Sequence, residues 1–164
     1  MIAALALLAA VHPALGTRDA TCAPGENGPA FIVTVDGLKD RRGRLRLELY
    51  PATDADFLAD DDKLVAAGKS FRRVDRPVPA TGPVTLCIRA PGPGLYAISL
   101  LHDRDANHRF SLWHDGVGFA GNPTIGWWKP HARAAAARVG DAPTRLRITL
   151  NYRHGLLSFA PIDR

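Results

Sequence analysis

The sequence predicts an all-β fold: a single antiparallel β-sandwich of immunoglobulin- or prealbumin-like type, with about seven strands and one short helix. Three observations carry that expectation. Apolar and polar residues alternate with period two in run after run, Gly- and Pro-rich turns separate the runs, and helical periodicity is confined to one place. A chain of 164 residues, 46% hydrophobic and 23% charged, suits one domain with its own core and excludes wholesale disorder.

In chain order, the first fifteen residues hold no Lys, Arg, Asp or Glu. The apolar stretch Ile2–Val11 is too short to span a bilayer, which takes about 20 residues, and fits a signal-peptide core. Ala14-Leu15-Gly16 supplies a small-x-small cleavage pattern, so residues 1–16 are expected to be a signal peptide and the protein periplasmic or secreted. No basic residue precedes the apolar run; a truncated start, with the leader beginning upstream of Met1, or a buried N-terminal element are the alternatives. Residues 17–29 then form an N-terminal segment carrying Cys22, and residues 30–160 the sandwich. In an exported chain Cys22 and Cys87 most simply form one disulfide, worth roughly 3–4 kcal/mol in the chain-entropy model; two unrelated buried thiols are the alternative.

Phe31, Val33 and Val35 alternate with Ile32, Thr34 and Asp36; Leu45, Leu47 and Leu49 alternate with Arg44, Arg46 and Glu48, a half-buried strand with a wet face. Residues 54–67 are the helical candidate, with Phe57, Leu58, Leu64 and Val65 as its apolar face. Residues 69–76 form a weaker strand, and Val84, Leu86 and Ile88 mark the next. Leu95–Leu101 is almost continuously apolar, as in a central strand covered on both faces. Leu146, Ile148, Leu150 and Tyr152 mark a further strand, and a short last one follows at Leu156–Phe159. Between them lies a long loop region, 103–143, where such length signals either function or unrecognised elements; 132–139 reads as a helical turn or an edge strand.

That region holds the residues with chemistry. Asp103, Asp105 and Asn107 follow the D-x-D-x-N spacing of a calcium loop, and Asp115 could return as a further ligand. Against calcium, His108 replaces the usual Gly, His114 the usual Glu, and Arg104 and Arg109 weaken the local field; Asx-type turn caps explain the same residues. His102, His108 and His114 recur every six residues, a spacing that matches no zinc motif. His102 and Asp103 would leave a strand on opposite faces, which disfavours a catalytic dyad. G-x-S-x-G, C-x-x-C and H-E-x-x-H are absent, so an enzyme is not expected. Gly-rich residues 115–123, with Phe119 and Asn122, are flanked by Trp113, Trp127 and Trp128; packing of the rings against the sandwich is the more ordinary reading, a grip on a partner the other.

The net charge is +5, and 17 of the 21 basic residues are Arg, scattered without a Lys/Arg block. This favours an anionic partner, such as an envelope protein, anionic lipid or polysaccharide, over nucleic acid.

Gly94-Leu95-Tyr96-Ala97, His102-Asp103-x-Asp105-x-Asn107, Asp115-Gly-x-Gly-Phe119-x-x-Asn122-Pro123, Lys129-Pro130 and a terminal strand ending in Tyr152 resemble, in order, the motifs of the bacterial domain-of-unknown-function family 2141. The resemblance covers roughly residues 30–152. Asp105 stands where the family has Asn, and Ala120-Gly121 where it has Ser-Asn. It implies an exported β-sandwich and brings no established activity. The expectation is therefore a non-enzymatic binding module using residues 103–128, with His102, Asp103, Asp105, Asn107, Asp115, Phe119, Asn122, Trp113, Trp127 and Trp128 as candidates. A calcium-stabilised envelope domain (Asp103, Asp105, Asn107, Asp115) is one alternative; a hydrolase of envelope polymers using His102 or His114 with Asp103 or Asp115 is the other.

Overall fold

Strand β1 (Ala30–Asp36) is the middle of a three-stranded sheet, pairing antiparallel with β4 (Val84–Arg89) and parallel with β8 (Thr144–Thr149). The computed structural model describes residues 16–156 and 158–162, so the segment expected to be a signal peptide lies outside them apart from Gly16. The second sheet has seven strands. Its path runs β10 (Ser158–Pro161), β9 (Asn151–His154), β6 (Gly116–Phe119), β5 (Gly94–Asp103), β2 (Arg44–Pro51), β3 (Arg72–Pro77), and β7 (Ala136–Val139) pairs β5 as well.

The alternation read in the sequence places the core. Phe31, Val33, Leu86, Ile88 and Ile148 of the small sheet meet Leu45, Leu47, Leu49, Ile98 and Leu100 of the large one. The opposite face of the large sheet is also covered. Tyr50, Ala97 and Phe119 there lie under Phe57, Leu64, Phe71, Ile125, Ala132 and Ala135 in a second apolar cluster. Two covered faces explain the unbroken apolar run of β5. The molecule is thus a two-sheet sandwich with an added outer layer.

Three expectations change. Among the described residues the strand count rises from about seven to ten, because the 103–143 region contains β6 and β7 and because the last long strand divides. Four-residue strands are too short to display alternation, and both short strands are held by pairing to β5: Ser99–His102 takes β6 and Gly94–Ala97 takes β7. At Leu150 the chain leaves the small sheet as β8 and enters the large one as β9, the Leu150 amide donating to the Asp36 carbonyl. The β1–β8 pair is parallel, where a wholly antiparallel sandwich was expected. The helix α1 spans only Asp61–Ala66: Leu58 adopts a positive φ of 58° that ends the preceding turn, and Asp60 caps a fresh start by accepting from the Asp62 amide.

Residues 17–29 are fastened to β4. Cys22 and Cys87 form a disulfide, Thr21 bridges Ile88, and the Arg89 amide donates to the Ala20 carbonyl.

Candidate functional site

At the exit of β5 the pleat sends His102 inward and Asp103 outward, so the two side chains part. His102 is wholly buried. Its Nε2 lies 2.9 Å from the Arg42 carbonyl and its Nδ1 2.6 Å from the Tyr152 hydroxyl, which accepts from the Lys39 amide. A carbonyl can only accept, so this network assigns the proton to Nε2 and makes Tyr152 the donor to Nδ1. Burial lowers the His102 pKa from its ordinary value despite the Arg42 carbonyl and the Asp40 carboxylate 3.9 Å away, and raises the Tyr152 pKa to about 12. This imidazole is a neutral tie between segments, away from the surface.

Asp103 and Asp115, both buried, organise the loop that follows. Asp103 accepts from the Asn107 and His108 amides, and Asp115 from the Arg104 and Ser111 amides at 3.0 and 2.7 Å. Ala106 and His108 take positive φ to turn the chain around them. Exposed Asp105 accepts from the Asn107 side-chain amide, whose own oxygen accepts from the Arg109 amide at 2.7 Å. Carboxylate oxygens of Asp103, Asp105 and Asp115 lie within 4.8 Å of one another; Asn107 faces its own turn. His108 contacts Arg46 and Asp75, while His114 offers its carbonyl to Arg104 and its amide to the Ser111 carbonyl, so the three histidines do not converge.

Phe119 belongs to the second apolar cluster, its ring edge-on to Phe57 at 5.7 Å. Asn122, at positive φ, stitches the loop to β8: its Nδ2 donates to the Arg147 carbonyl and its Oδ1 accepts from the Thr149 amide. The glycines before them have steric reasons. A Cβ at Gly116 would run into the Tyr152 ring, and one at Gly118 would lie 2.6 Å from Ile148 Cγ2.

The tryptophans reverse the ordinary expectation. Trp113, Trp127 and Trp128 are 69%, 65% and 87% exposed instead of packed on the sandwich. Trp127 and Trp128 stand at the rim of a pocket of about 410 Å³ over the outer face of the large sheet. Its floor is Glu48, Ser99, Leu101, Val117 and Phe119; Leu58, Lys129 and Pro130 form one side, Phe110, Leu112 and Phe159 another. Lys129 secures its wall by donating to the Asp54 and Phe57 carbonyls at 3.0 and 2.6 Å. At the floor Glu48 is buried, accepting from the Tyr50 hydroxyl at 2.7 Å and pairing with Arg73, which also binds Asp61.

Alternation assigned Glu48 to a wet face; the outer layer dries it. Ser99 and Leu101 were hidden within an apolar run, and Phe110, Leu112 and Phe159 carried no motif. The one available signal was the uninterrupted hydrophobicity of β5, which requires a second covering layer. Neither the curated proteins nor the solved structures yield a match to the chain. The model of a bacterial family described as an uncharacterised conserved protein, domain of unknown function 2141, matches residues 33–147, and the chain belongs to that family.

Proposed function

We propose that the chain is an exported, non-enzymatic binding module that takes the apolar part of an amphiphilic ligand into the pocket beneath residues 110–130. One observation carries the reading: a mostly apolar cavity of about 410 Å³ with a buried polar pair, Glu48 and Ser99, at its floor. That size lies within the roughly 300–1,000 Å³ of small-molecule sites. Export is supported by the Cys22–Cys87 disulfide, a bond favoured in oxidising compartments. In this reading residues 1–16 are the leader, 17–29 an anchoring segment and 30–160 the sandwich, whose facing sheets are of immunoglobulin- or prealbumin-like kind.

The test is titration with 11-(dansylamino)undecanoic acid, a fluorescent fatty acid. Saturable binding with a blue shift is expected, weakened about tenfold by Val117→Phe, which fills the floor. No saturable binding, or binding indifferent to Val117→Phe in a folded variant, would overturn the reading.

Calcium is the second reading, favoured by the convergence of Asp103, Asp105 and Asp115. The amide hydrogen bonds already received by Asp103 and Asp115 favour turn chemistry instead. Thermal unfolding is therefore expected to be unchanged between chelator and excess calcium. A saturable rise in Tm, lost in Asp105→Asn, would establish the calcium site.

A further inference from the structure

Around the pocket mouth, large apolar side chains stand in water. Besides the three tryptophans, Phe110 and Leu112 are exposed and Leu156 is 77% exposed. They form one patch: Leu112 and Trp127 line a small adjoining hollow with Arg153 and Leu156, and the Arg153 guanidinium lies 3.1 Å from the Trp113 ring centroid. A contiguous exposed patch of this kind on a globular domain marks an interaction surface.

Charge identifies the partner. Residues 106–114, 116–140 and 151–162, from which the patch side chains come, contain Arg109, Lys129, Arg133, Arg138 and Arg153 and no Asp or Glu, and Lys129 and Arg153 of these line the two hollows. The net charge of +5 therefore resides in these segments, the remaining chain being balanced. The acids around it have partners within the chain: Glu48 at the pocket floor pairs with Arg73, Asp54 with His131 and the Ala132 amide, Asp105 with Asn107, and Asp115 with loop amides. Among the described residues Arg153 donates from Nη2 to the Leu156 carbonyl and pairs with no carboxylate.

Exposed indoles beside arginines suit the boundary between headgroups and acyl chains, where the ring body is apolar and its N–H and the neighbouring cations meet water and phosphate. A saccharide site would set hydrogen-bonding side chains beside its rings. Here the neighbours are Leu112, Leu156 and Phe110, and the Asn122 side chain is already engaged with β8.

We propose that this face docks on an anionic lipid surface, with Trp113, Trp127 and Trp128 entering the headgroup boundary and Arg109 and Arg153 meeting lipid phosphates. The docking stands whether or not the pocket is filled.

Flotation of the full chain with vesicles tests it. Binding is expected to vesicles of phosphatidylglycerol and phosphatidylcholine in equal parts, to fall with added salt, and to shield tryptophan emission from acrylamide. Trp113→Ser/Leu156→Ser, both outside the pocket, should weaken flotation about tenfold while leaving dansyl fatty acid binding unchanged. Arg109→Gln should reduce the salt dependence. Val117→Phe should do the reverse, weakening fatty acid binding about tenfold and sparing flotation, so this proposal and the pocket reading fail separately. The proposal is overturned by absent flotation, by equal binding to pure phosphatidylcholine, or by folded Trp113→Ser/Leu156→Ser floating as the parent does. Retention by dextran sulfate without flotation would assign the face to an acidic polysaccharide and overturn it as well.

Discussion

The buried side chains of His102 and Tyr152 form a hydrogen-bonded knot with the Arg42 carbonyl and the Lys39 amide, joining β5, β9 and the turn after β1. Because burial lowers the His102 pKa, the unfolded chain takes up a proton more readily than the folded one as pH falls through the ordinary imidazole range. Stability is therefore full above that range and is lost on acidification through it. Tm should decline between roughly pH 7 and 5, and His102→Gln should lower Tm at neutral pH while flattening that decline. Urea unfolding of both proteins across this range checks the sign; a slope equal in the two would refute the assignment. The depressed carboxylates Asp40, Asp54 and Asp56 act in the same direction at lower pH, so they do not mimic the histidine's window. Glu48 gives a second residue-scale prediction. Arg73→Leu strands its buried carboxylate beside the Tyr50 hydroxyl and should cost about 3–5 kcal/mol, against a smaller loss for Glu48→Gln, whose amide carries no charge to strand. A chemical denaturation series separates the two.

Among the elements, β6 has the least tolerance. Gly118 passes so close to the β8–β9 crossing that an added Cβ would lie 2.7 Å from the Thr149 carbonyl oxygen as well as 2.6 Å from Ile148. Gly118→Ala should lose about 1–3 kcal/mol through overpacking, read as a lower urea midpoint with an unchanged m-value. The N-terminal segment depends on its disulfide across 65 residues of sequence. Cys22→Ser/Cys87→Ser should lower stability by about 4 kcal/mol, and reduction of the parent chain should reproduce the drop. Strand positions with strong alternation, β1, β2, β4 and β8, were readable from sequence because each shows one face to the core. The helix was placed correctly but overextended, since nothing in Phe57-Leu58 announces a left-handed residue. β6 is too short to show alternation, and β7 is the edge-strand alternative of 132–139, which the sequence leaves open against a helical turn.

At the scale of the whole molecule, the large sheet is coated on both faces, and the unfilled part of the outer coat is the proposed pocket. Placing the site there separates three groups that lie close in sequence. His102 supports the core, Asp103 and Asp115 hold the loop, and Trp127 and Trp128 remain at the rim. If the rim and pocket bind as proposed, vesicles and fatty acid together should raise Tm more than either alone, by mass action on the folded state. Scanning calorimetry with each and with both tests this.

Local pattern determined a great deal. Periodicity, turn residues and one cysteine pair were enough for an all-β chain, most strand positions and the disulfide partners, because each is a statement about neighbours in sequence or about a pair with no competitors. The Asp/Asn run marked the loop correctly, as its side chains bond amides a few residues away. Exposure of the tryptophans and burial of Glu48 were decided by tertiary structure alone. Both depend on how residues 53–71 and 110–135 lie over the second face of the sheet, and that coverage is set by packing between segments distant in sequence, which no local pattern encodes.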